Sequence, residues 1–146
     1  MIVRFLAVAL TGLALVAPGA HLFELKGKIE MTADDYFVVQ RIYIGWWLIG
    51  LFLPAAFLAN VALAVGVGSD AIAFWFCVAA AALMALNLVI FVIWTQPVDK
   101  ATRNWTVRHE NWYALRRQWE FPHAVNAGVT FLAFCAATLA ALHAQS

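Results

Sequence analysis

The chain has 146 residues, is 65% hydrophobic and 12% charged, and carries a formal net charge of +1. A soluble domain is about half apolar and about a quarter charged, so one small core could not hide this much apolar surface, and lipid is the expected solvent and partner. A balance this close to neutral excludes nucleic acid as a partner, because phosphate binding needs a basic surface. The expectation is one domain, 1–146, with no separate soluble module.

Four windows hold the ~20 mostly apolar residues that a membrane-crossing helix needs. They are residues 2–20, 42–65, 71–94 and about 122–142. Backbone amides in lipid must be paired within the segment, so each window reads as a helix. The predicted fold class is therefore all-α, an integral membrane four-helix bundle, with an additional amphipathic helical segment between spans three and four. The first window also has the outline of a signal peptide, with Arg4, an apolar run and then Ala17-Pro18-Gly19-Ala20. An even number of crossings favours a retained helix, with Arg4 snorkelling to the headgroups. Thr32 reads as an N-cap, with Asp34 and Asp35 in the first turn, so the second helix is expected to begin near Ala33 and to kink at Pro54. Gly66-Val67-Gly68-Ser69-Asp70 reads as a tight link between spans two and three.

Charge orients this layout. Arg4 is the one Lys or Arg at the end holding the termini and the second turn, whereas Lys26, Lys28, Arg41, Lys100, Arg103, Arg108, Arg116 and Arg117 gather at the other. The positive-inside rule then places both termini outside the cytoplasm, with a bacterial inner membrane as the expected location. Trp46, Trp47 and Trp94 fit an aromatic belt at the charged end, and Trp75 fits one at the opposite end.

Polar residues within the spans mark the candidate chemistry. His21 and Glu24 close span one, and Glu120 and His123 open span four, each pair spaced i, i+3 on one helical face. Because the two helices run antiparallel, histidine should lie level with histidine and glutamate with glutamate. Asn87 and Asn126 fall slightly deeper, and Tyr43 enters the same layer. Together these form a candidate polar pocket in which His123 and His21 could act as base or proton shuttle, with Glu24, Tyr43, Asn87, Glu120 and Asn126 as binding groups. Glu-x-x-His is also a ligand spacing of helical carboxylate metal sites. Here one motif is reversed and further inward carboxylates are lacking, so no metal and no cofactor is expected. The rival reading is that these groups sit at the headgroup boundary and orient the helix ends. Cys77 and Cys135 lie in apolar runs without metal spacing and read as small buried hydrophobes.

Between spans three and four, Trp105, Trp112 and Trp119 recur every seven residues, with His109 and Arg116 on the same helical face. One reading is a lid of aromatics and a cation over a flat or anionic ligand. The other, which leads, is an amphipathic helix lying at the interface. Pro122 is expected to kink the junction to His123.

The run Gln96-Pro97-Val98-Asp99, then Asn111-Trp112-Tyr113-Ala114-Leu115-Arg116-Arg117-Gln118-Trp119-Glu120, then His123-Ala124, resembles a family of small four-helix membrane proteins that includes the anthrone oxygenase-like proteins. The resemblance covers the last third of the chain. Asp99 stands where the family pattern has asparagine, and Asn126 near where it has arginine. The resemblance implies oxidation of a fused-ring aromatic by dioxygen without a dedicated cofactor. On chemical grounds His123 would then be the base, with Trp112, Trp119 and Arg116 holding a flat, enolate-like ligand. The expected ligand is a lipophilic aromatic or quinone-like molecule. The alternative from the sequence is a non-catalytic accessory subunit or homo-oligomer, since runs such as Ala79-Ala80-Ala81-Ala82 permit close helix approach. A transporter is disfavoured by the absence of an internal repeat or a charged midplane.

Overall fold

A computed structural model describes residues 1–143. The chain is an all-α bundle in which four helical stretches, Ile2–Glu30, Trp47–Gly66, Ala71–Thr102 and Trp112–His143, are long and apolar enough to cross a membrane. The first, third and fourth outlast the apolar windows that announced them, most of all at the charged end, whereas the second begins at Trp47, inside its window. The stretches subdivide into α1 (Ile2–Ala14), α2 (Val16–Glu30), α3 (Ala33–Val39), α4 (Trp47–Gly50), α5 (Phe52–Gly66), α6 (Ala71–Ile90), α7 (Gln96–Thr102) and α8 (Trp112–His143). α1 packs on α5, α5 on α6 and α6 on α8, while α1 and α2 pack along α8 and close the ring.

Proline accounts for the subdivisions. Its ring displaces the carbonyl four residues back and offers no N–H. The break at Leu15 lies one turn before Pro18, the break at Leu51 one turn before Pro54, and a π turn over Phe91–Thr95 precedes Pro97. Pro122 differs: α8 runs through it as one helix from Trp112 to His143.

The interior is built on small residues. Ala7, Ala14, Ala56, Ala73, Ala80, Ala133, Ala137 and Ala140 are buried around Leu63, Cys77 and Met84. Small side chains let helix backbones approach, which is how bundles gain packing energy in lipid. Cys77 and Cys135 are free thiols. Two polar groups cross this interior unannounced by the sequence reading: Asn60 Nδ2 donates to Thr11 Oγ1 at 3.0 Å and to the Ala56 carbonyl at 2.9 Å.

The link between spans two and three forms as expected. Gly68 adopts φ +65°, a left-handed value that glycine takes without a Cβ penalty. Asp70 then caps α6, accepting from the Ala73 N–H at 3.0 Å. That bond, and His143 Nδ1 at 3.0 Å from its carboxylate, hold the Asp70 carboxyl below its ordinary range. The pairing puts the end of α8 beside the 66–70 turn, at one end of the bundle.

Both connections at the other end depart from expectation. Thr32 caps α3 through the Asp35 N–H, but the helix does not run on into span two. It tightens to a 3-10 turn over Gln40–Tyr43, and Gly45 reverses the chain at φ +92° before α4. Between spans three and four, residues 103–111 are not helical; the third span is carried on to Thr102 by α7. Beyond it Arg103, Asn104 and Trp105 all take positive φ, so Trp105, Trp112 and Trp119 do not share one interfacial helix. Left-handed backbone costs about 1–2 kcal/mol per non-glycine residue. Burial of the Trp105 indole against Tyr36, Val98 and Trp119 offsets that cost, with Thr102 Oγ1 accepting from the Trp105 N–H at 3.0 Å. The tryptophans meet anyway: the Trp105 and Trp119 rings lie 6.0 Å apart, brought together by a chain reversal instead of a helical repeat.

Candidate functional site

The polar residues of α2 and α8 converge in the half of the bundle nearest the long connections. His21 is 3% exposed, and its ring lies 4.3 Å from that of His123, 4.7 Å from Tyr43 and 4.8 Å from Trp119. The two histidines therefore sit level, as antiparallel helices with reversed i, i+3 pairs require. The glutamates are also level, and a third group joins them. Lys28 Nζ lies 2.8 Å from Glu24, 3.1 Å from His21 Nδ1 and 3.6 Å from Glu120. It also donates to the Tyr43 hydroxyl, which in turn donates to Glu24.

In the sequence Lys28 counts among the eight cations of the charged end. It is 2% exposed, and so is Arg116, which leaves six cations at the surface of that end. A buried ammonium is tolerable only when paired, and Glu120, whose side chain is fully buried, is its inner partner. Glu120 Oε1 further accepts from Tyr36 at 3.0 Å and from Gln40 at 3.4 Å, so α3 and the turn after it close the cluster from above. Tyr36 and Gln40 were also missed from sequence. Burial first, and then the Glu120 carboxylate, push the Tyr36 phenol well above its ordinary range; burial and Glu24 do the same to Tyr43. Both phenols thus stay protonated, as donors, across the working pH range. The ammonium stands between Glu24, Glu120 and His21, where a bound cation would have to sit.

Hydrogen-bond directions fix both histidine tautomers. An ammonium donates and cannot accept, so His21 Nδ1 accepts from Lys28 and the ring proton sits on Nε2. His123 Nδ1 lies 2.8 Å from the Trp119 carbonyl, which accepts and cannot donate, so His123 carries its proton on Nδ1. Its Nε2 lone pair is left free among the described residues, on a half-buried ring. Trp119 is held in turn by its indole N–H donating to Asp99 at 2.7 Å.

The remaining expected residues are placed differently. Arg116 donates to the carbonyls of Lys28, Ile29 and Met31, each at 2.9 Å, and lies 4.6 Å from the Trp112 ring. Those carbonyls belong to the last turn of α2, where helix acceptors lack partners. The guanidinium therefore ties α2 to α8. Asn87 and Asn126 pair with each other's backbone, at 3.5 and 3.4 Å, and Asn87 also donates to Thr130 at 2.5 Å, a separate buried knot. His109 does not join the tryptophans on a helical face: its Nε2 lies 2.9 Å from the Ala101 carbonyl, in the loop after α7. Neither the surface groove beside Met1 and Arg4 nor the one beside Arg117 is lined by the histidines.

Comparison with family models, curated proteins and solved structures found no match for this chain.

Proposed function

We propose that this membrane protein binds a lipophilic, weakly acidic aromatic or quinone-like molecule at His123 and removes a proton from it. The observation that carries the reading is the fixed tautomer of His123. Its Nδ1 proton is committed to the Trp119 carbonyl, which leaves Nε2 as a base on a half-buried ring of a spanning helix. His21 packs against that ring, and Lys28 places positive charge behind His21. A base held in one tautomer beside a buried cation suits a substrate that becomes an anion. Oxidation is the further step implied by the anthrone oxygenase-like resemblance: the anion reacts with dioxygen, a ring methylene becomes a carbonyl, and water leaves.

Anthrone is a suitable probe because its enolate is coloured. In nanodiscs the protein is expected to generate bound enolate at a pH where free anthrone stays protonated. His123→Gln should weaken that about tenfold to a hundredfold, the value of ~1.5–3 kcal/mol for a hydrogen bond to a charged group. Absence of enolate with the wild-type chain, or an unchanged yield in the variant, would remove the reading.

A second reading, a non-catalytic accessory subunit or homo-oligomer, is favoured by the packing itself. His21 is enclosed by Tyr43, Trp119 and His123, and the two grooves lie elsewhere. Failure of the anthrone test supports it.

We also propose the bacterial inner membrane as the location, with both termini outside the cytoplasm. Six exposed cations at the end opposite Arg4 support that orientation. Single cysteines at Ser69 and Arg103, on a background lacking Cys77 and Cys135, should label from outside and from the cytoplasm respectively. The opposite labelling pattern would reverse the orientation.

A further inference from the structure

We propose that the groove between α6 and α8 is a binding site for one anionic phospholipid, with its phosphate on Arg117 and an acyl chain laid along Phe121 and Val125. The groove holds about 400 Å³, and its walls include Ile90, Trp94, Gln118 and Pro122. Two local defects face each other across it. On one side the chain passes through the Phe91–Thr95 π turn, which widens the helix. On the other, Pro122 has no N–H, so the Gln118 main-chain carbonyl loses its partner four residues on. The Gln118 side chain bridges the two helices, its Nε2 donating to the Trp94 carbonyl at 3.2 Å.

The charge at the groove identifies the ligand. Arg117 is exposed, lies 4.9 Å from the Phe121 ring and forms no ion pair among the described residues. Its neighbour Arg116 has two of its three nitrogens committed to backbone carbonyls, whereas the Arg117 fork is free for a phosphate, which it fits in bidentate fashion. Trp94, Phe121 and Val125 are 46, 40 and 55% exposed and form the apolar part. A cation at the mouth, an indole beside it and an apolar channel below match an anionic lipid at the headgroup boundary. The Gln118 carbonyl adds an acceptor for a headgroup hydroxyl. Inorganic phosphate would satisfy the guanidinium alone and leave the channel empty.

This site is separate from His123. At 100° per residue, Gln118, Phe121, Pro122 and Val125 share one side of α8, while Arg116, Trp119, Glu120 and His123 share the other. Each can therefore fail without the other.

The test is native mass spectrometry of the purified chain released from micelles doped with equal phosphatidylglycerol and phosphatidylcholine. The wild-type chain should retain one phosphatidylglycerol about fivefold to tenfold over phosphatidylcholine, the preference expected from one interfacial arginine. Arg117→Gln should abolish that preference while leaving thermal unfolding unchanged, because the side chain is exposed. Val125→Trp, which fills the channel, should lower retention of both lipids, and excess inorganic phosphate should not displace the bound lipid. Equal retention of the two lipids by the wild-type chain, an undiminished preference in Arg117→Gln, or release by inorganic phosphate would overturn the proposal.

Discussion

Lys28→Met is expected to cost about 3–5 kcal/mol of stability, the range seen when one partner of a buried ion pair is removed. The substitution keeps the length of the side chain and much of its packing, so the loss is electrostatic. It leaves the Glu120 carboxylate fully buried, with only Tyr36 and Gln40 donating to it, and it strips the donor from His21 Nδ1. The Glu24 contact contributes little to the cost. That side chain is 40% exposed, and ion pairs open to solvent are worth under ~1 kcal/mol. The double variant Lys28→Met/Glu120→Leu should recover most of the loss, because an apolar pair of similar volume replaces an ion pair at little net cost. Recovery should stop short of complete, since the Tyr36 hydroxyl and the Gln40 amide would then lack their acceptor. Thermal unfolding in detergent, followed by tryptophan fluorescence, reads both changes. A single variant as stable as wild type would show that Lys28 is solvated, and the enclosed cluster would not exist as described.

Lys28 also marks the limit of what the sequence revealed. The four spans were legible because apolar runs of that length have few alternatives. The meeting of His21 with His123 was legible because i, i+3 spacing on antiparallel helices fixes relative depth. Lys28 lies seven residues after His21 and four after Glu24, on the same face, so its position was also encoded. It was hidden because the apolar window ends near Ala20, while the helix continues to Glu30. Beyond that window a cation reads as solvated surface unless another element covers it, and the cover here is α3 and the turn after it, where the Tyr43 hydroxyl, 15 residues on, accepts from Lys28 Nζ, a contact no local pattern announces. The left-handed run at Arg103, Asn104 and Trp105 was hidden for a different reason. Of the three only Asn104 has any local preference for that region, and the burial of Trp105 against the distant Tyr36 and Trp119 supports the conformation. The heptad spacing of the tryptophans predicted their proximity through the wrong geometry.

Arg116→Ala is the second large effect expected, about 3 kcal/mol or more, from loss of charge-assisted bonds whose acceptors are then stranded. The Ile29 and Met31 carbonyls at the end of α2 would lose their side-chain partner, and the Lys28 carbonyl would keep only the Met31 N–H at 3.4 Å. Arg116→Lys should rescue less than half of that. An ammonium is a compact point charge, whereas this site uses a planar fork that reaches Lys28 and Met31 from one nitrogen and Ile29 from the other. The location of the damage separates this role from ligand binding. If Arg116 acts by tying α2 to α8, hydrogen exchange in Arg116→Lys should quicken at residues 28–36 and remain slow across α5 and α6. A variant with native protection throughout, but with lost anthrone binding, would instead make Arg116 a ligand contact. The fixed end of α2 matters for the chemistry because Lys28 leaves the backbone at that turn. Holding its carbonyl holds the ammonium against His21, and through His21 the ring of His123.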